Sequence, residues 1–248
     1  MGNKVSIEVC ANSVFSAIEA EKGGAFRVEL CENIPEGGCT PSAGAIVTAR
    51  KHLSVKLNVI IRPRGGDFFY SEEEFEIMKQ DILFCKEAGV DGVVFGILDA
   101  VGNVDIQRNI ELLELARPMT ATFHRAFDVT SDASKALEDI INIGFDTLLT
   151  SGGKLKATEG KQLIKELVEK ASGRIDIMPG SGINKDNIVG MMEYTGATTF
   201  HLSARRPYPS QMKFRTQIPM GSLSADEEWN RRYTAAEIVA EVLKAANG

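Results

Sequence analysis

The sequence predicts a single (βα)8 barrel, the TIM-barrel form of the α/β class, and three observations predict it. Short β-branched and apolar runs alternate with longer amphipathic segments, the pattern of a parallel sheet whose strands are each followed by a helix. Eight such strands can be placed, at about 6–10, 27–32, 57–62, 92–98, 120–126, 147–151, 175–179 and 198–203. A helix-ending glycine precedes every even-numbered strand: Gly24, Gly89, Gly144 and Gly196, at intervals of 65, 55 and 52 residues. The period is a (βα)2 unit used four times, which is enough to close a barrel. Nothing in the alternation marks the change of winding direction that an open doubly wound sheet requires.

The 248 residues form one domain, 1–248, without a Pro-, Gly- or Ser-rich divide. Between strands three and four, "SEEEFEIMKQDILFCKEAG" (71–89) carries a capping box, Ser71 with Glu74, and a glycine stop. The one irregular stretch, about 204–230, separates strand eight from a last helix at about 232–246. That is long for a βα loop, and it is expected to order over a ligand or pack against another subunit. Apolar residues make up 44% and charged residues 25%, an ordinary globular composition; the net charge of -6 argues against a nucleic-acid partner. No apolar run reaches the roughly 18 residues of a membrane span, and "MGNKVSIEVC" enters a strand with no signal-peptide core, so a cytoplasmic protein is expected. Four cysteines in a chain of this size read as thiols in a reducing compartment.

Two strands share a phrase: "IEVC" at 7–10 and "VELC" at 28–31. Side chains alternate along a strand, so if Ile7, Val9, Val28 and Leu30 face the helices, Ser6, Glu8, Cys10, Arg27, Glu29 and Cys31 face the barrel interior. Adjacent strands should then set Glu8 near Glu29 and Cys10 near Cys31. The same parity turns Asn58, Ile60, Arg62 and, further on, Arg64 inward, with Thr122, His124, Thr199, His201 and Ser203. A barrel built for stability alone fills these layers with branched aliphatic residues. Buried carboxylates need partners, and Arg27, Arg62 and Arg64 are the candidates for Glu8 and Glu29.

Three chemistries stay open. Cys10 and Cys31, with Cys39 and Met178 further off, are soft donors of the kind that select Cu(I) or zinc. Glycine-rich loops after strands six, seven and eight offer an anion or phosphate site at Ser151, Gly152, Gly180, Ser181, Gly182, Ser203 and Arg205. Glu8, Glu29, Arg62, Arg64, His124 and His201 are the residue types for acid–base catalysis on a small anionic metabolite, of isomerase, lyase or hydrolase type. No inward lysine supports a Schiff base, and no H-x-H motif, Gly-x-Ser-x-Gly or P-loop is present.

The segments "EVCANS", "GGAFRVELCE", "GGCTPSAG", "IRPRGGDFFYS", "TFHRAFD", "LLTSGG", "IMPGSGIN" and "TGATTFHLS" together resemble the CutC family, over essentially the whole chain. The resemblance implies a cytoplasmic TIM barrel, often a homo-oligomer, concerned with copper homeostasis and binding Cu(I) through Cys10 and Cys31. The polar cavity it implies holds Glu8, Glu29, Arg62, Arg64, His124 and His201.

Overall fold

A computed structural model describes residues 4–221 and 223–248. Eight parallel strands alternate with helices: β1 Ser6–Ala11, α1 Val14–Lys22, β2 Arg27–Leu30, α2 Ala43–His52, β3 Lys56–Ile60, α3 Glu72–Glu87, β4 Gly92–Phe95 and α4 Ile106–Ala116 in the first half. The second half adds β5 Thr120–Phe123, α5 Ala133–Ile143, β6 Thr147–Thr150, α6 Lys161–Ala171, β7 Asp176–Pro179, α7 Ile188–Thr195 and β8 Thr199–Leu202. Each strand pairs with its sequence neighbour from β1 to β7, and β1 also pairs with β8, so the sheet curls round until β8 meets β7. The predicted barrel is present; six of the eight strands end one to three residues earlier than the apolar runs, which continue into the mouth loops, while β1 runs one residue further and β7 ends as read.

The helix signals work as read. Ser71 and Glu74 form the reciprocal capping box, and Gly24, Gly89, Gly144 and Gly196 all adopt the left-handed conformation that lets the chain leave a helix. The parity is also as read: Ile7, Val9, Val28, Leu30, Val59, Ile61, Phe123, Phe200 and Leu202 join the outer core against the helices. Cys31, Ile60 and Val94, with Cys10 and Ile34 against them, form a separate small cluster inside the barrel.

The neighbour register is staggered, with Glu8 opposite Arg27 and Cys10 opposite Glu29, because strands of a closed barrel tilt and shift past one another; Cys10 and Cys31 still meet as expected. One expectation is corrected. The 204–230 stretch is largely an arm: β9 Arg205–Pro209 pairs antiparallel with β10 Asn230–Thr234, and a short helix α8 Ala225–Trp229 lies between them. The last helix, α9, therefore runs Ala236–Asn247 rather than from 232. The arm is held to α1 by Phe15, whose ring meets Tyr208 and Tyr233 edge-on at 5.5 and 5.4 Å, and by Ser16 Oγ, which accepts from the Thr234 N–H. Among the described residues no helix is long and apolar enough to cross a membrane.

Candidate functional site

A cavity of about 300 Å³ opens at the C-terminal end of the strands. Cys10, Glu29, Cys31 and His201 line it from the contiguous strands β1, β2 and β8, and Ile60, Arg62, Phe68 and His124 line it from β3, β5 and the segment after β3. Six of the eight nominated catalytic and metal residues thus line one cavity, with Glu8 one layer below; Glu8 has no exposed surface. Cys10 Sγ and Cys31 Sγ lie 3.3 Å apart as free thiols.

The charges below this pair are matched locally. Glu8 forms an ion pair with Arg27, and His201 Nδ1 lies 2.7 Å from Glu8 Oε1. Burial pushes the Glu8 carboxyl up, but the Arg27 charge and the His201 contacts outweigh it and hold Glu8 at about 2. Glu29 has no such partner: burial dominates and raises it to about 8, so it is protonated at neutrality. His201 bridges the two, its Nε2 3.5 Å from Glu29 Oε2. Against the burial that lowers it, contacts with Cys10 and Glu8 raise His201 well above its ordinary value. The Cys31 thiol stabilises a Cys10 thiolate, lowering Cys10 and raising Cys31.

Other nominated residues sit elsewhere. Arg64 is not an inward residue: its guanidinium turns outward to Glu74 at 2.6 Å and Asp67 at 3.0 Å, because it lies beyond the end of β3, where strand alternation no longer applies. Arg62 does face the cavity but binds carbonyl oxygens of Glu36, Gly38 and Gly66, not Glu8 or Glu29. Met178 lies against Arg27 at 3.6 Å, below the thiols, and Cys39 accepts from Asn33 at the rim.

The glycine-rich loops do not line the cavity. The turn after β6 does cradle an anion, but it is the protein's own: the Asp128 carboxylate accepts from Ser151 N–H, Ser151 Oγ, Gly153 N–H and Thr150 Oγ1 at 2.6–3.0 Å. Gly152 is glycine because a Cβ there would run into the Gly160 backbone. Gly180 is glycine because a Cβ would meet Leu149 and His201; Ser181 Oγ donates to the Leu155 carbonyl, and Gly182 C=O accepts from Asn187. Ser203 C=O accepts from Thr234 Oγ1, and Arg205 starts β9, lining a separate groove beneath the arm. Phe68, Arg125 and Asp128 line the cavity and were not nominated from sequence, although "TFHRAFD" carries the Arg and Asp three residues apart.

The comparisons with known proteins agree with this architecture. A family model described as the CutC family matches residues 5–206, up to the start of the arm. A copper homeostasis protein cutC homolog of Mus musculus is 47% identical over 94% of this chain and 86% of its own length. A family protein CutC of Parabacteroides distasonis is 51% identical over 94% of this chain and 97% of its own. Among solved structures, a copper homeostasis protein CutC from Streptococcus agalactiae superposes with a TM-score of 0.77 at 35% identity, over 80% of this chain and 98% of that one. A phosphoribosylanthranilate isomerase from Thermotoga maritima, at 13% identity and a TM-score of 0.58 over 98% of this chain and 99% of its own, shares the barrel fold. The resemblance carried by the strand-end motifs is borne out: the chain belongs to the CutC family.

Proposed function

We propose that this protein handles Cu(I) as cargo in copper homeostasis, the role its relatives' names carry, and binds it through Cys10 and Cys31. The observation that carries the reading is the sulfur pair, 3.3 Å apart at the floor of an open cavity. Thiolates are soft donors suited to Cu(I), and a metal bridging two sulfurs at bonds of roughly 2.3 Å spreads them to about 4 Å at a trigonal angle and about 4.6 Å when collinear, so the pair must open by about an ångström. Cys10, Glu29 and His201 can also present one donor atom each within 4.8 Å of one another, a harder set for a different ion. Anaerobic competition against a Cu(I) chelator tests the reading: wild type should retain one copper per chain and the Cys10→Ser, Cys31→Ser double variant none. Equal retention would refute it.

Free thiols at all four cysteines fit a reducing, cytoplasmic setting, and an arm exposing Met212, Phe214, Ile218 and Met220 fits a homo-oligomer; light scattering on the eluted protein reports the latter. One observation favours a second reading, an enzyme acting on a small anionic metabolite. Glu8 and Glu29 share the interior with their acidities pushed apart, one ionised and one protonated, the division that acid–base catalysis uses. Turnover lost on Glu29→Gln but kept in the double cysteine variant would support it.

A further inference from the structure

Four strands round from β1, the β5 side of the cavity carries polar groups that copper binding leaves unused. His124 Nδ1 accepts from the Ala126 N–H at 3.3 Å, which puts the ring proton of the neutral imidazole on Nε2. That Nε2 is buried and has no hydrogen-bond partner, in a residue only 4% exposed that lines the cavity. Burial, reinforced by the Arg62 charge, lowers His124 to about 3 and keeps the ring a neutral donor. The ring is held by Phe68 at 4.9 Å and by Phe123 edge-on at 6.2 Å.

Arg62, 5% exposed, lies on the same cavity with its guanidinium over the Phe68 ring at 5.0 Å. Its Nη atoms donate to three backbone carbonyls, its Nε has no acceptor, and among the described residues no carboxylate lies within ion-pair distance. A buried cation answered only by neutral carbonyls, beside a buried donor with nothing to donate to, is an arrangement that an anion completes.

We propose that this half of the cavity binds a small organic carboxylate, one oxygen accepting from His124 Nε2–H, its charge balanced by Arg62 and its carbon skeleton against Phe68 and Leu149. Phosphate is the poorer match. It needs many converging donors, and the ring of backbone N–H and hydroxyl groups that could supply them after β6 is taken by Asp128. A cavity of about 300 Å³ is at the small end for ligand sites, which points to a molecule of a few carbons. The proposal concerns binding alone and stands whether or not the sulfur pair carries copper.

Isothermal titration of the metal-free full chain with pyruvate, lactate, malonate and succinate, and separately with inorganic phosphate and glycerol 3-phosphate, tests it. At least one carboxylate should saturate a single site per chain. The His124→Phe variant should bind it at least tenfold more weakly, His124→Gln, which keeps an N–H donor, should recover most of the affinity, and both should retain Cu(I) as wild type does. The proposal is overturned if none of the four carboxylates saturates wild type, if the phosphates bind more tightly, or if a folded His124→Phe binds as wild type. The wild-type titrations decide the first two points even if a variant misfolds.

Discussion

His201 Nδ1 lies 2.7 Å from Glu8 Oε1, a contact between the first and last strands of the barrel that fixes which of two repeated glutamates carries charge. Glu8 gains both this imidazole and Arg27, while Glu29 keeps only the weaker 3.5 Å contact to the far side of the same ring. Two residues written into the same phrase of sequence thus end in opposite protonation states.

Glu8→Gln removes the carboxylate and leaves Arg27 and His201 buried without their counter-charge. Loss of one partner of a buried pair costs about 3–5 kcal/mol, so the variant should unfold at markedly lower urea. Glu29→Gln replaces a group that is neutral in the folded chain with one of the same shape that has no proton to lose on unfolding, so at pH 7 it should leave stability unchanged or raise it. Equal losses in the two variants would mean that the carboxylates are equivalent after all.

Glu29 also sets a pH dependence. Its ordinary value is 4.5 and burial raises it to about 8, so between these limits the folded chain holds a proton that the unfolded chain has released. From this group, stability is fully present below pH 4.5 and falls as pH rises towards 8, by at most roughly 1.4 kcal/mol per pH unit. Denaturation midpoints taken from pH 5 to 8 should decline more steeply for wild type than for Glu29→Gln. Parallel curves would contradict the raised value.

Asp128 fills a cup that would otherwise suit a free anion. Asp128→Gly should lower the melting temperature in phosphate-free buffer, through a loss of about 2–3 kcal/mol, and phosphate should restore part of it. Wild type should show no such response to phosphate at this cup. A variant indifferent to phosphate would show that the turn does not recognise anions once emptied.

Much of this was legible along the chain and little of it across the chain. Alternation assigned Glu8, Cys10, Glu29, Cys31, His124 and His201 to the interior correctly, because it depends only on strand geometry. Two partners were legible as well, Cys31 for Cys10 and Arg27 for Glu8, but the His201–Glu8 contact was not, because it exists only where β8 closes on β1. Arg64 was misplaced because parity was carried past the last residue of β3. Glycines after β6 signalled an anion site truly, yet the anion came from Asp128, 23 residues before Ser151, a pairing that spacing does not reveal. The arm was visible as an overlong loop, but its pairing of Arg205–Pro209 with Asn230–Thr234 carries no alternating apolar pattern, since most of these side chains are exposed.

Cys10 and Cys31 are proposed to hold Cu(I) together. Copper-edge X-ray absorption on the anaerobically loaded full chain tests it most directly: two sulfur neighbours in wild type, reduced to one in Cys31→Ser, is the predicted result. A first shell of nitrogen and oxygen alone, unchanged by the substitution, would contradict it.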